Sequence, residues 1–339
     1  MKRFLAFLVV LAVIVGGAFV WENANFDAPG PAAAGNASET VVLIKPKAGL
    51  HGISQTLAQS GVIENPDLFL WGVRLRQTRA LLKAGEYAIP ARASMHDIMD
   101  ILIAGRSIQH KITAAEGLTS DMIARLVNAD PVLKGAPVAV PAEGTLLPET
   151  YLYMRGDTRE QIVARMQKAQ AGLLARLWPK RDPNLPFRTE AEAVTLASIV
   201  EKETSLPSER RHIAAIFVNR LRAGMLLQSD PTIIYSLTGG YPLGRGIRRS
   251  ELERVTPYNS YLVAGLPPTP ICNPGKDSIA AVLNPGTTND LYFVAAGNGG
   301  HVFSATIAEQ ERHVAELRMR ERLQKTIRMQ LPAPSVPHL

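Results

Sequence analysis

Cysteine is nearly absent: Cys272 is the only one in 339 residues. No intrachain disulfide can form and no cysteine cluster can hold a metal, so the fold must rest on its apolar core. His-Glu-x-x-His and Asp-rich calcium loops are missing too, which leaves a metal or any other cofactor without support in the sequence. The composition lacks the signature of disorder, with 46% hydrophobic and 20% charged residues, enough for one or two globular domains. The charge balance is basic, +7 from 37 Lys+Arg against 30 Asp+Glu, but the basic residues are dispersed rather than gathered in a patch. That argues against nucleic acid and leaves an anionic lipid surface or an anionic polymer open as partners.

The run Phe4–Trp21 is uncharged and apolar, preceded by Lys2 and Arg3. Its 18 residues suffice to cross a bilayer as a helix. The basic pair would keep the N-terminal tip cytoplasmic, while Trp21 suits the far interface. The expected placement is a single pass through the inner membrane, with residues 1–21 as tip and anchor and the C-terminal body in the periplasm. A cleaved signal peptide is the alternative, since Gly16 and Ala18 are small residues near the end of the run.

Residues 22–40 are rich in Ala, Gly, Pro and Asn without periodicity, and read as a flexible linker. A small α+β module is expected over 41–108. It opens with a β-branched strand at Thr40–Ile44, then a helix through Ile53, Leu57 and Ala58 that stops at Gly61. Asn65 with Pro66 starts a second helix, Gly85–Ile89 returns as a strand, and Ser94 with Asp97 caps a third helix ending at Gly105. The larger part, 109–330, reads as a second α+β domain with strands near Leu291–Val294 and His301–Phe303, and the proline-rich 331–339 as a flexible tail.

Thr189 with Glu192 forms a capping box, so a helix should run from there to about Thr204, before Pro207. At 100° per residue Ala193, Leu196, Ile199 and Val200 share one apolar arc; Glu203 falls inside it, Glu201 at its margin, and Lys202 points away. A carboxyl on an apolar face at the last turn of a helix is costly to ionise, and the negative helix end adds to the cost. Such a group can donate a proton near neutral pH, as cleavage of a glycosidic bond requires. The plainer reading pairs Glu203 with Arg210 or Arg220.

The strings LASIVEKET (196–204), FVNRL (217–221), LQSDPTIIY (227–235), PYNSYLVAGLPPTPICNPG (257–275) and LYFVAAGNGGHVFSAT (291–306) closely resemble the YceG-like endolytic murein transglycosylases in order and spacing. The likeness covers about residues 40–310. It implies a LysM-like module at 41–108 followed by a catalytic domain, and association with peptidoglycan glycan strands, with peptidoglycan synthases as further partners. The family's essential acid lies in the EKE segment, which makes Glu203 the candidate and Glu201 the second choice. The resemblance further implies a non-hydrolytic reaction, in which one carboxyl protonates the leaving oxygen and then accepts the proton of the muramic C6 hydroxyl, leaving a 1,6-anhydro end.

Other matched positions have two readings each. Gln228, Ser229 and Asp230 precede Pro231 as sugar ligands or as turn formers. Tyr235, Tyr258 and Tyr261 stack on sugar rings or edge the core. Asn219, beside Arg220, orients Glu203 or bridges helices, and Asn259 and Asn273 are candidate acetamide partners on loops. Gly265–Pro268 would shape a groove wall, and Glu149 of LLPETY reads as structural. Gln310 stands where the family often has histidine, and neither His301 nor His313 is given a role. Two other functions compete: a non-catalytic peptidoglycan-binding anchor, and a lysozyme-type hydrolase needing a second carboxylate, for which Asp230 is the candidate.

Overall fold

The computed structural model describes residues 2–330, so the tail 331–339 lies outside the described residues. In chain order the elements are α1 (Lys2–Phe26), β1 (Glu39–Ile44), α2 (Leu50–Gln59), α3 (Pro66–Leu75), β2 (Gly85–Pro90), α4 (Met95–Ala104), β3 (His110–Thr113), α5 (Ser120–Ala129), β4 (Thr150–Tyr153), α6 (Arg159–Leu177), α7 (Glu190–Glu203), α8 (Pro207–Arg222), α9 (Asp230–Thr238), α10 (Arg249–Leu252), α11 (Lys276–Leu283), β5 (Tyr292–Ala295), β6 (His301–Ser304) and α12 (Ile307–Gln330). The architecture is mixed α+β, with three two-stranded sheets, β1–β2, β3–β4 and β5–β6. Two compact units result, one made of residues up to Lys111 with Leu152–Asp157, the other of Ile112–Tyr151 with Thr158 onward.

In the first unit β1 pairs antiparallel with β2, Val42 opposite Tyr87; α2 packs on β1, α4 on β2, and α3 on α2. Alternation along β1 buries Val42 and Ile44 and leaves Val41 and Leu43 outside, the period expected of a strand with one covered face. The local signals act as read. The Asn65 side chain accepts from Asp67 N and Leu68 N, Ser94 and Asp97 form a capping box, and Gly105 ends α4 at φ 70°.

The stretch 22–40 departs from the expected free spacer. Helix α1 continues five residues past Trp21, and Phe26 is fully buried in the core of this unit, its ring 6.1 Å from that of Phe69. Arg76 closes over it, 4.1 Å above the Phe26 ring, and donates to Glu22 and Asn23. The coil that follows is pinned by Gly30 N to Arg92 O (3.2 Å) and Arg92 N to Pro31 O (2.9 Å). Small-residue composition suggested slack; the close approach of Gly30 to the Ala93 carbonyl shows why small residues are needed there. Helix α1 itself is long and apolar enough to cross a membrane.

In the second unit α7 is the central helix. Every residue from Ala193 to Val200 is buried, Thr195 and Ser198 included, because α8, α9 and α11 pack around it. The expected apolar arc is therefore only part of a helix enclosed on all sides. Its two polar residues are satisfied internally: Thr195 Oγ1 donates to Ala191 O, and Ser198 Oγ donates to Thr195 O and accepts from Ile271 N. What emerges from this core is the last turn of α7, carrying Glu201 and Glu203.

Candidate active site

The two glutamates end in different surroundings. Glu201 Oε2 accepts from Gly275 N (3.0 Å) and Ser278 Oγ (2.7 Å), so its carboxylate caps the N-terminus of α11, where anions are favoured. Glu203 points toward the start of α9, and its Oε1 is 2.5 Å from Ser229 Oγ. Neither arginine considered from the sequence pairs with it. Arg210 faces Asp277 at 3.6 Å, and Arg220 spends its guanidinium on the carbonyls of Leu226, Leu227 and Leu291.

Glu203 keeps a solvent-accessible edge while protein crowds its other sides. That crowding is the main cause that pushes its carboxyl up to about 7, reinforced by the negative charge of Asp230. The Ser229 hydroxyl, His301 and Arg220 pull the other way and are outweighed. A carboxyl poised there is half protonated near neutral pH, which suits a group that must first give a proton and then take one.

Ser229 occupies the N-cap position of α9, where a serine hydroxyl usually accepts from the helix's own first amides. Here it makes no such bond and is given to Glu203 instead. Its backbone is held from behind: Ser229 N donates to Ser260 Oγ (2.9 Å), and Thr232 Oγ1 donates to Ser229 O (2.7 Å), all three residues being buried. The preceding residue, Gln228, has a φ of 53°, uncommon for a side chain with a Cβ. Gln228 N donates to Ser260 O, and its side-chain oxygen lies 3.4 Å from Arg220 Nη1. Asp230 opens α9 and accepts from the Tyr261 hydroxyl at 2.5 Å. Burial and this acceptor both raise the Tyr261 phenol, which stays protonated and serves as a donor.

Of the residues singled out in the sequence, Ser229, Asp230 and Tyr261 thus gather around Glu203, with Gln228 joined through Arg220. The rest do not. Tyr235 lies with Tyr258, ring centroids 5.0 Å apart, and its hydroxyl faces Glu143 at 3.4 Å. Asn219 donates to the carbonyls of Thr288 and Asp290, bridging α8 to the approach of β5. Asn259 donates to Leu252 O and Arg254 O and accepts from Tyr261 N, which fixes the loop bearing Tyr261. Asn273 is fully buried; it accepts from Leu146 N and donates to Leu118 O, Ser120 Oγ and Glu143 Oε1. For both Asn259 and Asn273 a loop amide was read as accessible, but Asn259 is consumed inside its own loop and Asn273 in holding its loop to distant chain.

Two further groups, His301 near Glu203 and Tyr292 beside Arg220, were given no role from the sequence. His301, on β6, is held by Glu209, which accepts from its backbone N (2.9 Å) and contacts Nδ1 at 2.7 Å. Tyr292, on β5, lies under the Arg220 guanidinium at 5.2 Å. Both belong to the matched string 291–306, so the signal was present but carried no indication of which side chain turns inward. Cavities of about 540 Å³ beside residues 135–141 and about 410 Å³ around Glu143 and Gln170 are not lined by Glu203.

Comparisons with known proteins identify relatives of the chain. The chain is 28% identical to an endolytic murein transglycosylase of Bacillus subtilis, over 88% of this chain and 90% of the relative. It is also 28% identical to one of Streptococcus pneumoniae, over 92% of this chain but only 64% of that protein's length. A crystal structure of a yceG-like protein from Listeria monocytogenes superposes with a TM-score of 0.50 at 29% identity, covering 81% of this chain and 98% of the other. A model of the YceG-like family matches residues 42–316, a span that contains Glu203 and every side chain described around it, and the chain therefore belongs to the YceG-like family.

Proposed function

We propose that this chain is an endolytic murein transglycosylase, anchored in the inner membrane by α1, in which Glu203 is both acid and base. The observation that carries the reading is the Glu203 carboxyl itself: raised to about 7, held by Ser229, and in no ion pair among the described residues. In its acid form Glu203 protonates the oxygen between muramic acid and glucosamine as that bond breaks. The resulting carboxylate takes the proton from the C6 hydroxyl of the same muramic residue, whose oxygen closes on C1. No water is consumed, and the product ends in 1,6-anhydromuramic acid.

Ser229 positions the carboxyl, and Asp230, steadied by Tyr261, adds negative potential that favours the protonated form and later the oxocarbenium-like charge on the sugar. The small unit, with two helices between paired strands, is read as a LysM-like module that positions glycan. Lys2 and Arg3 support a cytoplasmic tip and a periplasmic body, and peptidoglycan synthases are the partners whose nascent strands this activity would end.

Asp230 also favours one other reading, a hydrolase with two carboxylates. Incubating uncrosslinked glycan strands with the protein and with Glu203→Gln, then weighing the products by mass spectrometry, separates the readings. Anhydro ends that disappear in the variant support the proposal, reducing ends indicate hydrolysis, and no cleavage by the unaltered protein leaves a binding anchor.

A further inference from the structure

Helix α3 carries an exposed apolar stripe that no other element of its unit covers. Trp71 is 57% exposed and Leu75 53%, with Leu81 at 53% just beyond the helix. From Trp71 to Lys83 the chain bears four cations, Arg74, Arg76, Arg79 and Lys83, and no carboxylate; Glu64 and Asp67 sit at the opposite end of α3. An exposed tryptophan beside leucine and arginine is unusual on a surface meant only for water.

The position of the stripe relative to α1 says what it meets. Gly72 is pressed so closely on α1 that a Cβ there would lie 2.2 Å from the Phe26 ring and 2.8 Å from Glu22 Oε1. Around α3, Phe69 and Val73 lie about 60° and 100° to one side of Gly72, and Leu75 and Trp71 about 60° and 100° to the other. Phe26 meets Phe69 on the core side, and Glu22 and Asn23 meet Arg76 near the Gly72 line. Trp21 and Asn25 line one cavity with Leu68, which lies on the Leu75–Trp71 side of Gly72. Trp21 to Phe26 is a rise of about 7.5 Å, and the headgroup layer beyond the hydrocarbon is about 5–7 Å deep on each face. With Trp21 at the hydrocarbon edge, the start of the α1–α3 contact falls at headgroup depth.

We propose that the Trp71–Leu75 face of α3, with Arg74 and Arg79, is a second membrane contact that seats the small unit in the headgroup layer of an anionic bilayer. It rests on the reading of α1 as a membrane span. Trp71 and Leu75 enter the interfacial region, as aromatic and apolar side chains do beside a span, and the arginines meet lipid phosphates. The consequence is a unit held flat against its membrane rather than swinging on a tether.

The test uses the full chain reconstituted into vesicles of phosphatidylcholine and phosphatidylglycerol, with one tryptophan retained at a time. Trp21→Phe with Trp178→Phe reports on Trp71, and Trp71→Phe with Trp178→Phe reports on Trp21. Lipids carrying a nitroxide near the headgroup should quench Trp71, and acrylamide in the water should quench it at least about twofold less than in detergent-free unfolded protein. Adding Arg74→Glu and Arg79→Glu should reverse both effects for Trp71 and leave Trp21 unchanged. If Trp21 is quenched by lipid while Trp71 responds only to acrylamide, the second contact is refuted and the span stands. If Trp21 is not quenched by lipid, the span itself fails and this inference with it.

Discussion

Replacing Glu203 by Gln should abolish turnover and at the same time stabilise the protein at alkaline pH. The carboxyl holds its proton up to about pH 7 in the folded protein and releases it near 4.5 in the unfolded chain. Between those values the folded state binds more protons, so this group's contribution to stability is complete below about 4.5 and is lost as pH rises through 7. The gap between about 7 and 4.5, at about 1.4 kcal/mol per pH unit, gives about 3 kcal/mol of ionisation penalty carried by the native protein at pH 8. The substituted amide has no proton to lose and escapes that penalty while keeping an oxygen for Ser229. In a unit of this size about 3 kcal/mol corresponds to roughly 6–12 °C in Tm. Calorimetry of both proteins at pH 5 and pH 8 should show nearly equal melting at pH 5 and the variant melting higher at pH 8, while its cleavage rate falls at least about a hundredfold. A variant that melts lower than the parent at pH 8, or a difference that does not change with pH, would refute the account of a carboxyl kept neutral by its surroundings.

Ser229→Ala removes a hydrogen bond that favours the carboxylate, so the alkaline limb of the rate profile should move to higher pH, with kcat down roughly tenfold from lost positioning; a profile unmoved on the pH axis counts against the Ser229–Glu203 bond. Glu201→Ala should cost about 1–2 kcal/mol by uncapping α11, seen as a lower Tm, with the specific activity of the folded protein retained. Asn273→Ala should cost about 1–3 kcal/mol, since it strands the buried Leu146 N; loss of substrate binding with unchanged melting would instead restore Asn273 as a sugar ligand.

The ends and faces of helices were legible in the linear sequence because they depend on neighbours three or four residues away. Thr189 with Glu192, Ser94 with Asp97 and Asn65 with Pro66 cap the helices they announce. The strand period of β1 and the apolar run that forms most of α1 are equally local. That some carboxyl in the last turn of α7 leaves an apolar helix was also readable from spacing alone. Beyond that reach the sequence was silent. Glu201 and Glu203 are two residues apart on one helix, and what separates them is that α11 packs on one side and α9 on the other; a turn of about 200° decides which carboxylate caps a helix and which is left to a serine. Asn273 looked like a free loop amide because its partners, Leu118, Ser120 and Leu146, lie more than a hundred residues away in the chain. The spacer at 22–40 looked slack because nothing near it in sequence discloses that Phe26 is received by Phe69 and Arg76. Composition and periodicity determined the elements and one candidate acid. Tertiary packing alone decided its environment, because desolvation and hydrogen-bond partners are properties of what surrounds a side chain and not of what precedes it.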